Sequence, residues 1–133
     1  LVQYLLAVDR DNEAVSDWFR TLHPAVLKSI RIVLQAGEKF DKPVIVCGEM
    51  AGSHVYAPIL IGLGAKELSM NLHSISRVRK VISNIAFEEA REIIKELEIL
   101  KTAEEIEENV SRIFVKKWSH LFTEKDLPLH AAR

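Results

Sequence analysis

The chain has 133 residues, of which 48% are hydrophobic and 28% are charged, and this is enough for one modest soluble domain with a hydrophobic core. A formal net charge of -1 argues against a nucleic-acid-binding surface, and the longest apolar run, residues 57–63, is too short to insert into a membrane. One cysteine cannot form an internal disulfide, which favours a cytoplasmic setting. The first residues show no signal-peptide pattern and already lie in an apolar run. We therefore expect the chain to be a fragment or one module of a larger protein.

The first third of the chain predicts a strand followed by helices. Residues 1–8 are apolar and are interpreted as a buried strand or its exit, which ends at the polar residues 9–12. Asp11 or Asn12 is expected to cap a short helix that continues to Phe19. Apolar residues at helical spacing, with a proline at the first position, predict an amphipathic helix over residues 24–40.

The middle of the chain alternates strands with helices. Residues 44–47 form a short apolar strand that ends at Cys47, and a loop bounded by Gly48 and Gly52 follows it. A helix is predicted over residues 54–63, with Gly64 as its C-terminal stop, and a further strand over residues 67–71.

The last third is predicted to be helical. Ser74 or Ser76 is expected to cap a helix, and residues 87–100 form another. Thr102 with Glu105 three residues later is typical of a capping box, and it opens a last helix that runs to about residue 120. Residues 123–133 are only weakly periodic and are expected to be mobile.

This order of elements predicts an α/β fold with parallel strands joined by right-handed crossovers. Three βα units are too few to close a barrel, and a three-stranded sheet has two bare edges. The pattern therefore fits a piece of a larger α/β domain.

The residues alone leave the roles of two side chains open. A cysteine at the end of a buried strand, such as Cys47, is either a reactive group or a small buried hydrophobe, and the second is the commoner case. Arg10 is either a contact for a phosphoryl group or a loop arginine paired with Asp9 or Asp11.

Other side chains are assigned structural roles. The five histidines are scattered without metal-ligand spacing, and His54 is interpreted as a surface or capping residue. Arg77, Arg79 and Lys80 form a basic stripe that is expected to face solvent. Trp18 and Trp118 are expected to be packing anchors or dimer contacts.

Several motifs at fixed spacing resemble one family. Residues 1–12 resemble the segment that follows a Gly-Thr-Asn-Asp element in the phosphoenolpyruvate-utilising enzymes, and residues 47–52, Cys-Gly-Glu-Met-Ala-Gly, resemble their cysteine signature. Residues 62–64, 67–70 and 76–82 look like the phosphoenolpyruvate–protein phosphotransferases, the Enzyme I type, rather than pyruvate phosphate dikinase or phosphoenolpyruvate synthase. The similarity runs to about residue 94.

The resemblance implies a fold and a set of partners. It implies that the chain is a C-terminal fragment of a (β/α)8 TIM-type barrel, with the barrel portion in residues 1–100 and a C-terminal helix and tail in residues 101–133. Such enzymes pass phosphate from phosphoenolpyruvate to their own histidine and then to an HPr-type phosphocarrier protein. They are cytoplasmic homodimers that use Mg²⁺, whose ligands are expected upstream of this chain. The fragment alone is expected to be inactive.

The resemblance also implies residue roles. Cys47 matches the acid/base cysteine that protonates enolpyruvate to give pyruvate, and Arg10 matches an arginine that clamps the phosphoryl group. Gly48 and Gly52 could let the backbone approach the substrate, whereas any tight βα loop also favours glycine. Glu49 either tunes the cysteine or caps the next helix.

Two alternatives remain at this level. The chain could be a noncatalytic dimerisation or interaction module, or part of a dikinase-type or synthase-type enzyme. Nothing in it separates the sugar branch of the phosphotransferase system from a nitrogen-related paralogue with a GAF domain, and the carrier protein is not specified.

Overall fold

The computed structural model describes residues 1–9, 11–123 and 125–127, which form an α/β domain made mostly of helices. No helix in those ranges is long and apolar enough to cross a membrane. The elements in chain order are α1 (Val2–Leu6), a 3-10 turn (Ser16–Trp18), α2 (Pro24–Lys39), β1 (Ile45–Val46), α3 (Glu49–Gly52), α4 (Ala57–Gly62), β2 (Glu67–Leu68), α5 (Leu72–Ile82), α6 (Phe87–Leu97) and α7 (Ala103–Lys117).

The sheet is a single parallel pair in the described part of the chain. Ile45 lies opposite Glu67, and Val46 lies opposite Leu68. The Val46 carbonyl also accepts a hydrogen bond of 2.8 Å from the Ser69 N–H, just beyond the end of β2. Helices α3 and α4 connect the two strands, so this part of the chain is one βαβ unit, and the two predicted strands are confirmed in shortened form.

The predicted N-terminal strand is wrong, because residues 2–6 form helix α1. Among the described residues no strand lies beside this segment, and a lone strand would leave its backbone N–H and C=O groups without partners. A helix satisfies them locally, as in the 2.9 Å bond from the Leu5 N–H to the Leu1 carbonyl. Ala7 ends the helix in the left-handed region, at φ 53°.

The short helix predicted to end at Phe19 is reduced to the 3-10 turn, although Asn12 does cap the preceding turn by accepting a hydrogen bond of 3.0 Å from the Ala14 N–H. Helix α2 begins with Pro24 as predicted, and the Nδ1 atom of His23 caps it by accepting a bond of 3.1 Å from the Ala25 N–H.

The capping box of the last helix is confirmed. The Thr102 hydroxyl accepts from the Glu105 N–H at 3.2 Å, and the Glu105 carboxylate accepts from the Thr102 N–H at 3.2 Å. The cap of α5 is not the predicted serine but Asn71, whose side-chain oxygen accepts from the Ser74 N–H at 2.9 Å. Ser74 already lies inside the helix, and a cap must come before it.

The core is built around α4, which packs against α5 and α6. Trp118 is a packing anchor as predicted, because it is buried with its ring edge-on to Phe114 at 5.0 Å. Trp18 is not an anchor within this chain, since it is 72% exposed. Part of the tail was also mispredicted: Asp126 and Leu127 contact the domain, while residues 124 and 128–133 lie outside the described residues.

Candidate functional site at the carboxyl edge of the strands

Cys47 lies directly after β1, where the chain leaves the sheet. Gly48 follows with φ 92° and ψ -167°, a conformation that is essentially confined to glycine, and it turns the backbone into α3. The Cys47 side chain is exposed, so the interpretation as a small buried hydrophobe is wrong for this structure. A thiol in this position is accessible to a small molecule.

An open groove of about 520 Å³ surrounds Cys47. One wall is the loop and short helix after β1, and the other is the segment that leaves β2 and starts α5. Crevices outside the carboxyl ends of parallel strands are where α/β proteins bind ligands. The groove is lined by Cys47, Gly48, Glu49, Gly52, Ser53, Ser69, Met70, Asn71 and Ser74.

The two walls meet at Gly52. A Cβ atom at this position would lie 3.2 Å from the Ser74 Oγ atom and 3.5 Å from the Met70 Cβ atom. Glycine therefore allows the loop after Cys47 to approach α5 closely. This packing role agrees with the second interpretation from the sequence, a tight βα loop that favours glycine.

Glu49 is the first residue of α3 and also lines the groove beside Cys47. A carboxylate in the first helical turn is favoured by the helix dipole. Both sequence interpretations of Glu49, tuning the cysteine and supporting the helix start, are compatible with this position.

Arg10 lies outside the described residues, so its role as a phosphoryl clamp stays a prediction. The neighbouring Asp9 carboxylate accepts hydrogen bonds from the Asp11 N–H at 3.1 Å and from the Gln3 side chain at 3.2 Å. Asp9 thus has one partner in its own loop and one in α1.

Sequence reasoning missed a polar cluster behind the groove, centred on Asp126. One carboxylate oxygen of Asp126 accepts from the N–H of Thr123 at 2.9 Å and from its hydroxyl at 2.8 Å. The other accepts from His54 Nε2 at 3.1 Å and from the guanidinium of Arg77. Arg77 is thus an ion-pair partner of Asp126. Its side chain is nevertheless 60% exposed, which agrees with the prediction that the basic stripe faces solvent.

The charges in this cluster follow from its surroundings. Burial acts to raise the pKa of Asp126, but the hydrogen bonds from Thr123 and His54 and the charge of Arg77 outweigh it and lower the pKa to about 2. Burial and the charge of Arg77 lower the pKa of His54, against the opposing effect of Asp126. His54 is therefore a neutral imidazole near neutral pH, and its Nε2–H donates to an ionised Asp126.

The sequence carried one signal for this cluster. Thr123 and Asp126 have the spacing of a capping-type pair, which predicts their local hydrogen bonds. The contacts to His54 and Arg77 span 72 and 49 residues, and no local pattern predicts contacts of that separation.

A second charged cluster links the segment before α2 to helix α7. Arg20 contacts Glu107 at 3.0 Å and Glu104 at 3.2 Å, and the Glu107 side chain is 9% exposed. Burial raises the pKa of Glu107 to about 7, with Arg20 opposing this effect and Glu104 adding to it. None of these residues lines the groove.

The described residues do not fit a magnesium site on their own. Within those ranges, no group of three or more His, Cys, Asp or Glu side chains could hold a metal ion. Mg²⁺ requires oxygen ligands in near-octahedral geometry, and Glu49 is the one carboxylate that lines the groove.

The fold and the groove define an α/β domain with an exposed thiol at the carboxyl edge of its parallel strands. A family model described as "PEP-utilising enzyme, PEP-binding domain" matches residues 1–87, which include the whole groove. The chain belongs to this family of phosphoenolpyruvate-utilising enzymes.

Curated relatives extend the match beyond the family model. The chain is 40% identical over 114 residues to a phosphoenolpyruvate-protein phosphotransferase of Bacillus subtilis, with 86% of this chain and 20% of that protein covered. It is 38% identical over 117 residues to one of Mycoplasma pneumoniae, covering 88% of this chain and 20% of that protein. A Salmonella typhimurium protein named "Phosphoenolpyruvate-dependent phosphotransferase system" is 38% identical over 117 residues, covering 88% of this chain and 16% of that protein. The chain thus spans a fifth or less of these relatives.

Proposed function

We propose that the chain supplies part of the phosphoenolpyruvate site of a cytoplasmic phosphoenolpyruvate–protein phosphotransferase. Such an enzyme moves phosphate from phosphoenolpyruvate to a histidine for relay to an HPr-type carrier. The observation that carries the proposal is the exposed Cys47 thiol at the carboxyl end of β1, in a groove inside the stretch matched to a phosphoenolpyruvate-binding domain. The names of the relatives favour this class over a dikinase or a synthase.

The proposed setting is a (β/α)8 barrel, of which residues 1–100 form the last units and residues 101–133 the C-terminal helix and tail. The parallel βαβ unit and a groove at its carboxyl edge support this setting, because barrel enzymes place their sites at that edge. Ile45 on β1 is 55% exposed, and further strands of a barrel would cover such an apolar side chain.

In the proposed mechanism Cys47 is the general acid. When the phosphoryl group leaves phosphoenolpyruvate for the histidine, enolpyruvate remains, and its methylene carbon takes the proton of the thiol while the enolate collapses to a ketone. The products are pyruvate and a Cys47 thiolate, which regains a proton from solvent because the side chain is exposed.

Arg10 is proposed to bind the phosphoryl oxygens, since a guanidinium can donate two hydrogen bonds to phosphate and offset charge that develops during transfer. The hydroxyls of Ser53, Ser69 and Ser74 are available in the groove as further hydrogen-bond donors for the substrate. The magnesium that the family implies would need ligands beyond those of the described residues, and no step above depends on it.

The test replaces Cys47 in the polypeptide that carries this chain. Cys47→Ala should abolish pyruvate formation from phosphoenolpyruvate while the circular-dichroism spectrum and melting temperature stay unchanged, because an exposed thiol contributes little to packing. An exposed residue of α5 outside the groove provides the control, and Ser76→Ala should keep full activity. Normal turnover by Cys47→Ala would eliminate the acid assignment.

The second candidate function is a noncatalytic module that mediates homodimerisation. Its specific support is the exposure of two aromatic side chains near the N-terminus, Tyr4 at 94% and Trp18 at 72%. Dimerisation and catalysis are compatible, and a homodimer is part of the proposed enzyme.

A further inference from the structure

The C-terminal segment, defined as residues 118–123 and 125–127, is held against the domain behind the Cys47 groove. Trp118 and Phe122 are almost fully buried, and the ring of Phe122 stacks on the imidazole of His54 with centroids 6.0 Å apart. Leu127 is also buried in the core. These apolar contacts bring the Asp126 carboxylate to a defined place.

Asp126 connects the segment to both walls of the groove. His54 comes directly after Ser53, which lines the wall formed by the loop after β1. Arg77 is one turn along α5 from Ser74, which lines the opposite wall. One oxygen of Asp126 accepts from both His54 and Arg77, so a single atom joins the residue that follows Ser53 in one wall to the residue one turn after Ser74 in the other.

The link acts where the two walls approach each other closely. Gly52 lies two residues before His54, and its α-carbon faces Ser74 so closely that an added Cβ would be 3.2 Å from the serine Oγ. The separation of the walls therefore depends on the close approach that glycine permits at position 52 and on the polar link through Asp126.

We infer that Asp126 is a positioning residue for the Cys47 groove: its carboxylate holds the loop after β1 and the start of α5 at one separation. The catalytic meaning of this role rests on the proposed function, since a fixed groove matters most where Cys47 must reach a substrate carbon. Hydrogen bonds to an ionised carboxylate are roughly twice as strong as neutral ones, which suits Asp126 to the role.

The experiment measures the groove itself in the full 133-residue chain. Amide ¹H–¹⁵N chemical shifts of Gly52, Ser53 and Ser74 report on the two walls, and the rate at which an aromatic disulfide reagent labels Cys47 reports on access. Cys47 is the one cysteine of the chain, so labelling has a single source. Neither readout changes merely because a folded protein becomes less stable.

Asp126→Asn should shift the amides of both walls and change the labelling rate by about twofold or more. Arg77→Gln removes the ion pair between Arg77 and Asp126. It should shift the amide resonance of Ser74 while the hydrogen bond between His54 and Asp126 stays in place. Glu89→Gln is the matched control, because Glu89 accepts a hydrogen bond from Trp118 in the same C-terminal segment without lining the groove. It should change stability only.

The inference is overturned if folded Asp126→Asn lowers the melting temperature but leaves the groove shifts and the labelling rate as in the Glu89→Gln control. If Asp126→Asn does not fold, Arg77→Gln decides the matter, because Arg77 is 60% exposed and its replacement should be tolerated. An unchanged Ser74 amide and labelling rate in that variant would equally overturn it. These readouts need no phosphoenolpyruvate, so they fail or succeed independently of the Cys47→Ala activity test.

Discussion

Gly62 of α4 packs directly against the backbone of Ala90 in α6. A Cβ atom on Gly62 would lie 2.4 Å from the Ala90 carbonyl oxygen, well inside van der Waals contact. Because the opposing atom belongs to a helix backbone, it cannot rotate away. The close contact packs α4, which belongs to the connection between β1 and β2, against α6.

Gly62→Ala should therefore force α4 and α6 apart. The expected loss of unfolding free energy in urea is about 1–3 kcal/mol, which exceeds the gain of about 1 kcal/mol that alanine brings to a helix. Ser76→Ala, on the exposed face of α5, should change stability by less than about 0.5 kcal/mol. Equal stability of Gly62→Ala and the unaltered chain would mean that the two helices can separate freely.

Glu107 should make stability depend on pH near neutrality. Its pKa is raised from 4.5 to about 7 in the folded state, so the folded state binds the proton more tightly than the unfolded state does. The resulting stabilisation is present below the unfolded pKa and is lost as the pH rises through about 7.

The measurement compares melting temperatures of the unaltered chain and Glu107→Gln between about pH 5 and about pH 8. Glutamine stays neutral and still accepts a hydrogen bond from Arg20. The melting temperature of the variant should therefore rise relative to that of the unaltered chain as the pH increases. Glu108→Gln, exposed on the same helix, should leave the pH profile unchanged. A constant difference between Glu107→Gln and the unaltered chain would contradict the raised pKa.

Arg10→Ala should weaken the use of phosphoenolpyruvate with little loss of stability. The expected result, in the polypeptide that carries this chain, is a KM raised about tenfold or more, because a charge-assisted contact to phosphate is removed. Arg10→Lys should raise the KM by less than Arg10→Ala does, but not return it to the original value, since lysine cannot donate in the bidentate manner. Arg112→Ala on α7 is the control. If Arg10→Ala lowers stability but leaves the KM unchanged, Arg10 has a structural role and does not bind the phosphoryl group.

Trp18 should contribute to self-association if the exposed aromatic side chains near the N-terminus form a dimer contact. Light scattering should then find a dimer or larger species for the chain, and Trp18→Ser should shift it towards monomer. Ile99→Ser, at a residue that is 78% exposed elsewhere, should leave association unchanged. A folded monomer at all concentrations tested would count against the dimerisation module.

The family resemblance found in the sequence was confirmed because it depends on residues within short motifs. Cys47 to Gly52 carries the signature in six consecutive positions, and the family match covers it. The proposed roles of Cys47 and Arg10 stay predictions, since a signature identifies residue types and not the distances between them.

The sequence by itself determined the local elements: the proline start and the periodicity of α2, the capping box at Thr102, the helical segments α6 and α7, and the strand that leads to Cys47. Each depends on residues within about four positions of one another, which is the reach of helical and turn hydrogen bonds. Tertiary structure alone decided that residues 2–6 are helical, that Cys47 is exposed, that Trp118 and not Trp18 is buried, and that Asp126 meets His54 and Arg77. The physical reason is that burial and backbone pairing depend on which distant segments come together, and packing selects those partners.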